Sequence, residues 1–138
     1  MNSLLEKVKI LYIGSNKNFS SDFGLKIDLI NSFTHKENAF LANNFLYESN
    51  NLPNVILFDT NFSNDNVSNF FNTIKSNSKF NKIVYIIVCN SISEKQKIEF
   101  LKEGIDEIIF KPFKINDYSE RIKFLINYKK IANIHKSS

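Results

Sequence analysis

The stretch Ile83-Val-Tyr-Ile-Ile-Val-Cys89 is the longest uninterrupted apolar run in this chain of 138 residues. Continuous runs rich in Ile and Val are typical of β-strands that are covered on both faces, whereas half-exposed strands alternate apolar and polar residues. Two shorter bursts, Val8–Ile13 and Val55–Phe58, share this character, and a fourth, Ile105–Phe110, is interrupted by two acids. The four bursts therefore predict the strands of a buried sheet.

The segments between the bursts carry apolar residues at helical spacing. The predicted inner faces are Phe23, Ile27 and Ile30 in the first segment, Val67, Phe70, Phe71 and Ile74 in the second, and Ile98 and Leu101 in the third. Strands that alternate with helices predict an α/β fold with a parallel sheet and right-handed crossovers. Between His35 and Pro53 the pattern is weaker, and we expect a short second strand and helix there. This makes five strands and five helices.

Length, cysteine content and hydropathy exclude several classes of protein. A chain of this length fits one domain. Its single Cys excludes an intramolecular disulfide, and Cys89, His35 and His135 lack the spacing of a zinc cluster. The longest apolar run is too short to span a bilayer, and the first ten residues lack the apolar core of a signal peptide. We therefore expect a cytoplasmic protein without a membrane segment.

The net charge of +4 is unevenly distributed. Residues 1–69 carry 5 Lys and 7 acids, whereas residues 70–138 carry 13 Lys and Arg and 7 acids. From Arg121 onward the chain has five cations and no acid. We interpret these cations as a solvated helix end whose charge complements the helix dipole. A small nucleic-acid-binding protein that uses the basic tail is an alternative, but no aromatic platform or helix-turn-helix signature supports it.

The residues that follow each burst carry the candidate chemistry, because ligands of parallel α/β sheets bind at the carboxyl ends of the strands. These turns are Gly14-Ser15-Asn16, Asp59-Thr60-Asn61, Cys89-Asn90-Ser91 and Lys111-Pro112-Phe113. An Asp, a Lys and small polar groups are therefore expected to converge on one rim of the sheet. The sequence shows no acid–base pair, nucleophile triad or phosphate-binding glycine loop, so we do not expect an enzyme.

The segment Gly104-Ile-Asp-Glu-Ile-Ile-Phe-Lys-Pro-Phe113 resembles part of the receiver domains of bacterial two-component response regulators, with the family's Lys-Pro-Phe intact. Asp59 stands where the family carries its phosphoacceptor, 52 positions before Lys111, which is the family's usual spacing. The resemblance covers about residues 5–130. We assign residues 1–130 to a receiver-like domain and residues 131–138 to a basic C-terminal tail.

The resemblance implies a flavodoxin-like (βα)5 fold, a three-layer sandwich whose parallel sheet has the strand order 2-1-3-4-5. It also implies a cis peptide bond between Lys111 and Pro112. In function it implies a signal-transduction module of a bacterial phosphorelay, with a histidine kinase or another signalling protein as partner. An enzyme of flavodoxin-like fold is the weakest alternative, because the sequence has no cofactor loop.

The chain departs from the family at the acid pair that holds Mg²⁺, where it has Gly14 and Ser15. In the family this pair, the phosphoacceptor and a backbone carbonyl at the Asn61 position bind the ion. Mg²⁺ prefers octahedral oxygen ligands that include carboxylates, and Asp59 is the carboxylate left at this rim. We therefore expect weak or no Mg²⁺ binding, no other cofactor, and an atypical receiver that acts through protein–protein interaction. A working phosphoacceptor at Asp59 stays open as the alternative.

Lys111 and Cys89 each have two interpretations. Lys111 either holds phosphoryl oxygens or neutralises the Asp59 carboxylate, and without a metal we favour the second. Cys89 replaces the family's Thr or Ser and is either a redox-sensitive thiol or a small inert side chain, of which the second is commoner. Gly14, Ser15 and Cys89 are expected to surround the Asp59–Lys111 pair, and His35 is expected in a surface loop.

The last helix is expected to begin near Asn116 and to run to about Ala132, since residues 117–132 contain no Gly or Pro. The stripe that should pack on the sheet consists of Ile115, Tyr118, Ile122, Leu125 and Ile126. A second stripe on another side of the same helix consists of Phe124, Tyr128 and Ile131. We expect the second stripe to be exposed and to bind a partner, either a second copy of the chain or a protein of acidic character.

Overall fold

The computed structural model describes residues 8–25, 32–61 and 66–137, along which strands and helices alternate. The strands are β1 (Lys9–Ile13), β2 (Ser32–Lys36), β3 (Val55–Asp59), β4 (Val84–Cys89) and β5 (Glu107–Phe110). The helices are α1 (Phe19–Asp22), α2 (Ala39–Glu48), α3 (Asn66–Lys75), α4 (Glu94–Glu103) and α5 (Ser119–Ser137), and 3₁₀ turns lie at Ser78–Phe80 and Ile115–Tyr118. The four apolar bursts thus form β1, β3, β4 and β5, with ends shifted by one or two residues.

The strands form one parallel sheet of five in the order β2-β1-β3-β4-β5, which confirms the predicted flavodoxin-like arrangement. The register pairs Tyr12 of β1 with His35 of β2 and with Leu57 of β3. Because the chain winds outward in both directions from β1 and β3, the switch point lies between these two strands. The side chains that follow β1 and β3 therefore meet at the place where parallel sheets bind their ligands.

Two apolar cores on opposite faces of the sheet make the molecule a three-layer sandwich. One core joins alternate residues of the central strands to α1 and α5, and it includes Tyr12 and Phe19. The other joins the intervening strand residues to α2, α3 and α4, and it includes Phe71 and Phe100. The central strands are thus buried on both faces, as their continuous apolar runs predicted.

The inner faces predicted for α3 and α5 are confirmed. In α3 the buried residues are Val67, Phe70, Phe71 and Ile74. In and just before α5 the buried residues are Ile115, Ile122, Leu125 and Ile126, with Tyr118 partly buried against them. Both sets follow helical spacing, because each is the stripe that the helix turns toward the sheet.

An ion pair holds α5 against the sheet in addition to this packing. Nζ of Lys129 lies 3.0 Å from Oδ2 of Asp106 and donates to the carbonyl of Ile83 at 3.1 Å. The helix ends at Ser137 and not near Ala132, because no Gly or Pro follows to stop it, so the predicted basic tail is helical to that residue. Neither α5 nor any other helix of the described ranges is long and apolar enough to cross a membrane.

The inner face predicted for α4 is wrong by about one position. Phe100 is 3% exposed and packs in the core, whereas Ile98 and Leu101 are 49% and 43% exposed. Phe100 is the largest apolar side chain of this helix, and burying it stabilises the fold more than burying either aliphatic neighbour. The helix closes at Gly104, whose φ of 107° is the left-handed conformation that favours glycine.

The inner face predicted for the first helical segment can be compared with the structure only at Phe23. α1 is a single turn that buries Phe19, and Phe23 is buried directly after it. The other two residues predicted for this face, Ile27 and Ile30, lie outside the described residues.

The second unit is not short, because α2 has 10 residues. The Asn38 side chain caps its first turn by accepting a hydrogen bond from the backbone N–H of Leu41 at 2.9 Å. The buried residues of α2 are Ala42 and Leu46, which explains the weak apolar pattern in the sequence.

We expect Phe100→Ala to destabilise the protein by about 3–5 kcal/mol, because it removes a buried aromatic side chain and leaves a cavity. Leu101→Ala changes the neighbouring position of the same helix, where the side chain is largely exposed, and should cost less than about 1 kcal/mol. Urea denaturation followed by circular dichroism measures both. Equal losses in the two variants would contradict the orientation of α4.

Candidate functional site

An open cleft of about 500 Å³ lies at the carboxyl ends of the strands. Polar residues from the turns after the strands line it, among them Ser15, Asn38, Asp59, Asn61, Asn90 and Lys111. Gly14 and Glu37 also border it. The cleft therefore brings together most of the residues that the sequence placed on one rim; Cys89, Ser91, Pro112 and Phe113 do not line it.

Asp59 and Lys111 form the ion pair that the sequence predicted. Nζ of Lys111 donates to Oδ1 of Asp59 at 2.7 Å, and the two side chains are 27% and 8% exposed, respectively. The peptide bond between Lys111 and Pro112 is cis, as the family resemblance implied. A carboxylate so far removed from water needs a cation or hydrogen-bond donors, and Lys111 supplies both.

Tyr12 supplies a second donor to the same carboxylate. Its hydroxyl donates to Oδ2 of Asp59 at 2.5 Å, so both oxygens of the carboxylate accept a hydrogen bond. Burial, and next the hydrogen bond to Asp59, raise the pKa of Tyr12 above its usual range, which keeps the phenol protonated as a donor.

In the sequence Tyr12 stands within an apolar burst, and its contact with Asp59 was not predicted. One signal was present: Tyr12 is the one residue of Ile10–Ile13 with a polar end, and it precedes Gly14 on a strand expected beside β3. A tyrosine with a buried ring generally finds a partner for its hydroxyl.

His35 lies in β2 and not in a surface loop, so that prediction is wrong. Its Nε2 is 2.7 Å from the carbonyl of Gly14, and its ring centroid lies 5.2 Å from that of Tyr12. Pairing of β2 with β1 places His35 in the edge strand of the sheet, opposite Tyr12. His35 thus belongs to the surroundings of the site.

Cys89 contributes its backbone and not its thiol to the site. Its carbonyl accepts a hydrogen bond from the backbone N–H of Lys111 at 2.8 Å, while its side chain is fully buried in the core of α2, α3 and α4. Burial raises the pKa of the Cys89 thiol, an effect larger than the opposing influence of nearby Lys111. A protonated, inaccessible thiol is a poor nucleophile, which disfavours the redox interpretation.

The residues of this rim do not fit a Mg²⁺ site. The described ranges contain no group of three His, Cys, Asp or Glu side chains that could hold a metal ion. Among the described residues, the carboxylates that border the cleft belong to Asp59 and Glu37, and Lys111 already balances the charge of Asp59. Mg²⁺ in proteins keeps several waters and usually binds through one or two carboxylates, and of the two at this cleft the Asp59 carboxylate is already paired with Lys111.

No protein-family model and no curated protein sequence matches this chain. Solved structures do match it. The signal receiver domain of a putative Luxo repressor protein from Vibrio parahaemolyticus has a TM-score of 0.74 at 14% identity, with 93% of this chain and 96% of that chain covered. A two-component response regulator from Legionella pneumophila has a TM-score of 0.72 at 22% identity, with 88% and 99% covered.

The chain has the fold of a response regulator receiver domain. A structure from Rhodopirellula baltica described as an adenylate cyclase has the same fold, with a TM-score of 0.75 at 15% identity and 95% and 96% of the two chains covered. These likenesses establish the receiver architecture. Because one fold serves many functions, the chemistry has to be inferred from the residues of the site.

We expect Lys111→Met to destabilise the protein by about 2 kcal/mol, because the buried Asp59 carboxylate loses its charged donor. Asp59→Asn removes the charge that needs neutralising, so the double variant should lose less stability than the sum of the two single variants. Chemical denaturation of the four proteins gives this coupling. Lys102→Met, at an exposed position of α4, is the control; additive losses at 59 and 111 would contradict the pairing.

Proposed function

We propose that this chain is a receiver-type module of a bacterial two-component system that acts by binding another protein and not through phosphorylation of Asp59. The receiver fold supports the signalling role. One observation carries the second part: both oxygens of the Asp59 carboxylate accept hydrogen bonds, one from Lys111 and one from Tyr12.

Phosphorylation of an aspartate requires a cation that neutralises charge between the incoming phosphoryl group and the carboxylate. Gly14 and Ser15 supply no carboxylate for such an ion, and Lys111 is committed to Asp59. The rim has thus exchanged a metal-binding arrangement for an internal ion pair. This exchange favours a module whose state does not depend on phosphoryl transfer.

A working phosphoacceptor is the second candidate function. The observation in its favour is that Lys111 and Asp59 lie within 2.7 Å of each other at the mouth of a polar cleft. The same contact also neutralises a buried carboxylate, so the geometry fits a working phosphoacceptor and an inert ion pair equally well. Labelling of the protein with a phosphoryl donor distinguishes the two.

Incubation with radiolabelled acetyl phosphate and Mg²⁺ is expected to label the wild-type protein no more than Asp59→Asn. The physical reason is the lack of a metal site beside a carboxylate that already pairs with a cation. A receiver domain that retains its acid pair, treated in parallel, shows that the reagent is active. Labelling of the wild type that Asp59→Asn abolishes would establish the phosphoacceptor function instead.

The surface proposed for partner binding is the outer face of α5. Phe124, Tyr128 and Ile131 are 56%, 57% and 57% exposed, on the side of the helix opposite its buried stripe. The rings of Phe124 and Tyr128 are stacked with centroids 6.2 Å apart, and the Arg121 guanidinium lies 5.6 Å from the Phe124 centroid. An ordered apolar stripe of this kind is characteristic of a docking surface.

The neighbouring elements extend this face. β5 is the edge strand of the sheet, and α4 and α5 pack on opposite sides of the sheet beside it. Phe110 of β5 is 43% exposed, and the outer face of α4 carries Ile98 and Leu101. Response regulators commonly signal through these three elements, so the family resemblance and the exposed side chains indicate the same surface.

The charges around the stripe favour an acidic protein as the partner. Lys123 and Lys130 are exposed beside it, and a symmetric contact between two copies of α5 would bring these like charges together. Arg121 already pairs with Glu107, and Lys129 pairs with Asp106. These ion pairs leave less basic charge for binding the phosphates of a nucleic acid. We therefore propose a histidine kinase or another signalling protein with an acidic surface, ahead of a homodimer.

The variant Phe124→Ala/Tyr128→Ala/Ile131→Ala is expected to lose less than about 1 kcal/mol of stability, because each truncated side chain is already more than half exposed. It should also bind a hydrophobic dye less than the wild type does. Thermal melts, dye fluorescence and sedimentation measure stability, exposure and oligomeric state. A monomeric variant that is much less stable than a monomeric wild type would show that the stripe is core and would remove the interface.

A further inference from the structure

Besides the missing acid pair, a second feature of the structure bears on whether a divalent cation can reach Asp59. We propose that Tyr12 is the group that excludes a divalent cation from Asp59, and that Gly14 is the companion residue that makes room for its phenol. The proposal rests on the function proposed above, since it names what keeps Asp59 inert. It assigns to Tyr12 a positioning role that the family resemblance does not provide.

Tyr12 reaches Asp59 diagonally across neighbouring strands. Tyr12 pairs in register with Leu57, two residues before Asp59, so the Tyr12 and Asp59 side chains lie on the same face of the sheet. The phenol extends toward the carboxyl end of the strands, where its hydroxyl meets Oδ2 at 2.5 Å. The hydroxyl thereby takes a position on the carboxylate that a metal ion would otherwise approach.

Gly14 is required by this arrangement. A Cβ atom built on Gly14 would lie 2.6 Å from the hydroxyl oxygen of Tyr12, 2.8 Å from its Cζ and 2.9 Å from Cβ of Asp59. All three distances are shorter than a van der Waals contact between such atoms. The phenol of Tyr12, together with Cβ of Asp59, therefore fills the space that any side chain at position 14 would need.

The ring of Tyr12 has little freedom to move aside. It stacks on Phe19 with centroids 4.2 Å apart and planes 6° from parallel, and it meets the edge of Phe23 at 5.8 Å. His35 packs on another side of the ring at 5.2 Å. Displacing the hydroxyl would thus require repacking of a buried aromatic cluster, which interiors packed at this density resist.

An acid introduced at position 14 alone consequently clashes with Tyr12. Gly14→Asp/Ser15→Asp restores the carboxylates that receivers use, yet the new Asp at 14 cannot take its place while the phenol is present. Shortening Tyr12 frees the occupied oxygen and removes the two shortest contacts at position 14, whereas the contact with Cβ of Asp59 at 2.9 Å stays and requires a small shift of the backbone.

The first test is a pair of proteins, Gly14→Asp/Ser15→Asp with and without Tyr12→Leu. Mg²⁺ is titrated in calorimetry and the amide signals around Asp59 are followed by NMR. We expect the triple variant to bind Mg²⁺ at least tenfold more tightly than the double variant, and added Asp59→Asn to abolish the gain. Equal affinities in the pair, including no measurable binding by either, would overturn the role of Tyr12.

A second test decides the proposal if the double variant does not fold. Ser15→Asp and Tyr12→Phe/Ser15→Asp both keep Gly14 and differ by a single hydroxyl, and the second should bind Mg²⁺ more tightly by a factor of three or more. Melting temperatures give a readout without metal: Tyr12→Leu should lower the melting temperature of the wild type and lose that effect in the Gly14→Ala background. The same loss in both backgrounds, or equal Mg²⁺ affinities, would overturn the proposal.

The wild-type protein separates this proposal from the function on which it rests. Tight Mg²⁺ binding by the unmodified chain would overturn both. A wild type that binds no Mg²⁺, together with variants whose affinities do not depend on Tyr12, would overturn the role of Tyr12 and leave the proposed function standing.

Discussion

A carboxylate that is largely removed from water must be neutralised or hydrogen-bonded, and at the switch point of this sheet that constraint acts on Asp59. Lys111, directly after β5, and Tyr12, in β1, both donate hydrogen bonds to Asp59 at the end of β3. One carboxylate thus joins the carboxyl ends of three strands. In a metal-dependent receiver, a divalent cation would neutralise the carboxylate. Here two donors of the protein itself, Lys111 and Tyr12, hydrogen-bond both oxygens of the carboxylate.

The same constraint links the site to the core. The apolar ring of Tyr12 packs in the core, and its hydroxyl donates a hydrogen bond to Asp59. The ring packs with Phe19 and Phe23, and Phe23 in turn stacks on Phe113 with centroids 4.4 Å apart. Phe113 directly follows the Lys111-Pro112 turn, so the aromatic cluster supports the strand ends that carry both donors to Asp59. Core packing therefore fixes the geometry of the polar site.

Continuous apolar runs were sufficient to predict three strands and the burial of the sheet on both faces, because burial on two faces leaves no room for alternation. The fourth predicted strand, β5, came from a burst that two acids interrupt. The Asp59–Lys111 pair was also predictable, since parallel strands bring their carboxyl ends to one edge. The orientation of α4 was not predictable, because Ile98, Phe100 and Leu101 fit two neighbouring phases and only the burial of the Phe100 ring in the core decides between them. The hydrogen bond of Tyr12 escaped prediction because its distance depends on the missing side chain at position 14.

The outer face of α5 is oriented independently of Asp59. The ion pair that anchors the helix joins Lys129 to Asp106, and Lys129 also bonds to the carbonyl of Ile83. Asp106 and Ile83 directly precede β5 and β4, so this anchor lies at the amino edge of the sheet, opposite the cleft. Nothing in that contact requires a particular charge or ligand at Asp59. A receiver fold with a neutralised aspartate thus still presents Phe124, Tyr128 and Ile131 in one fixed arrangement, which is what a module that binds its partner without phosphorylation requires.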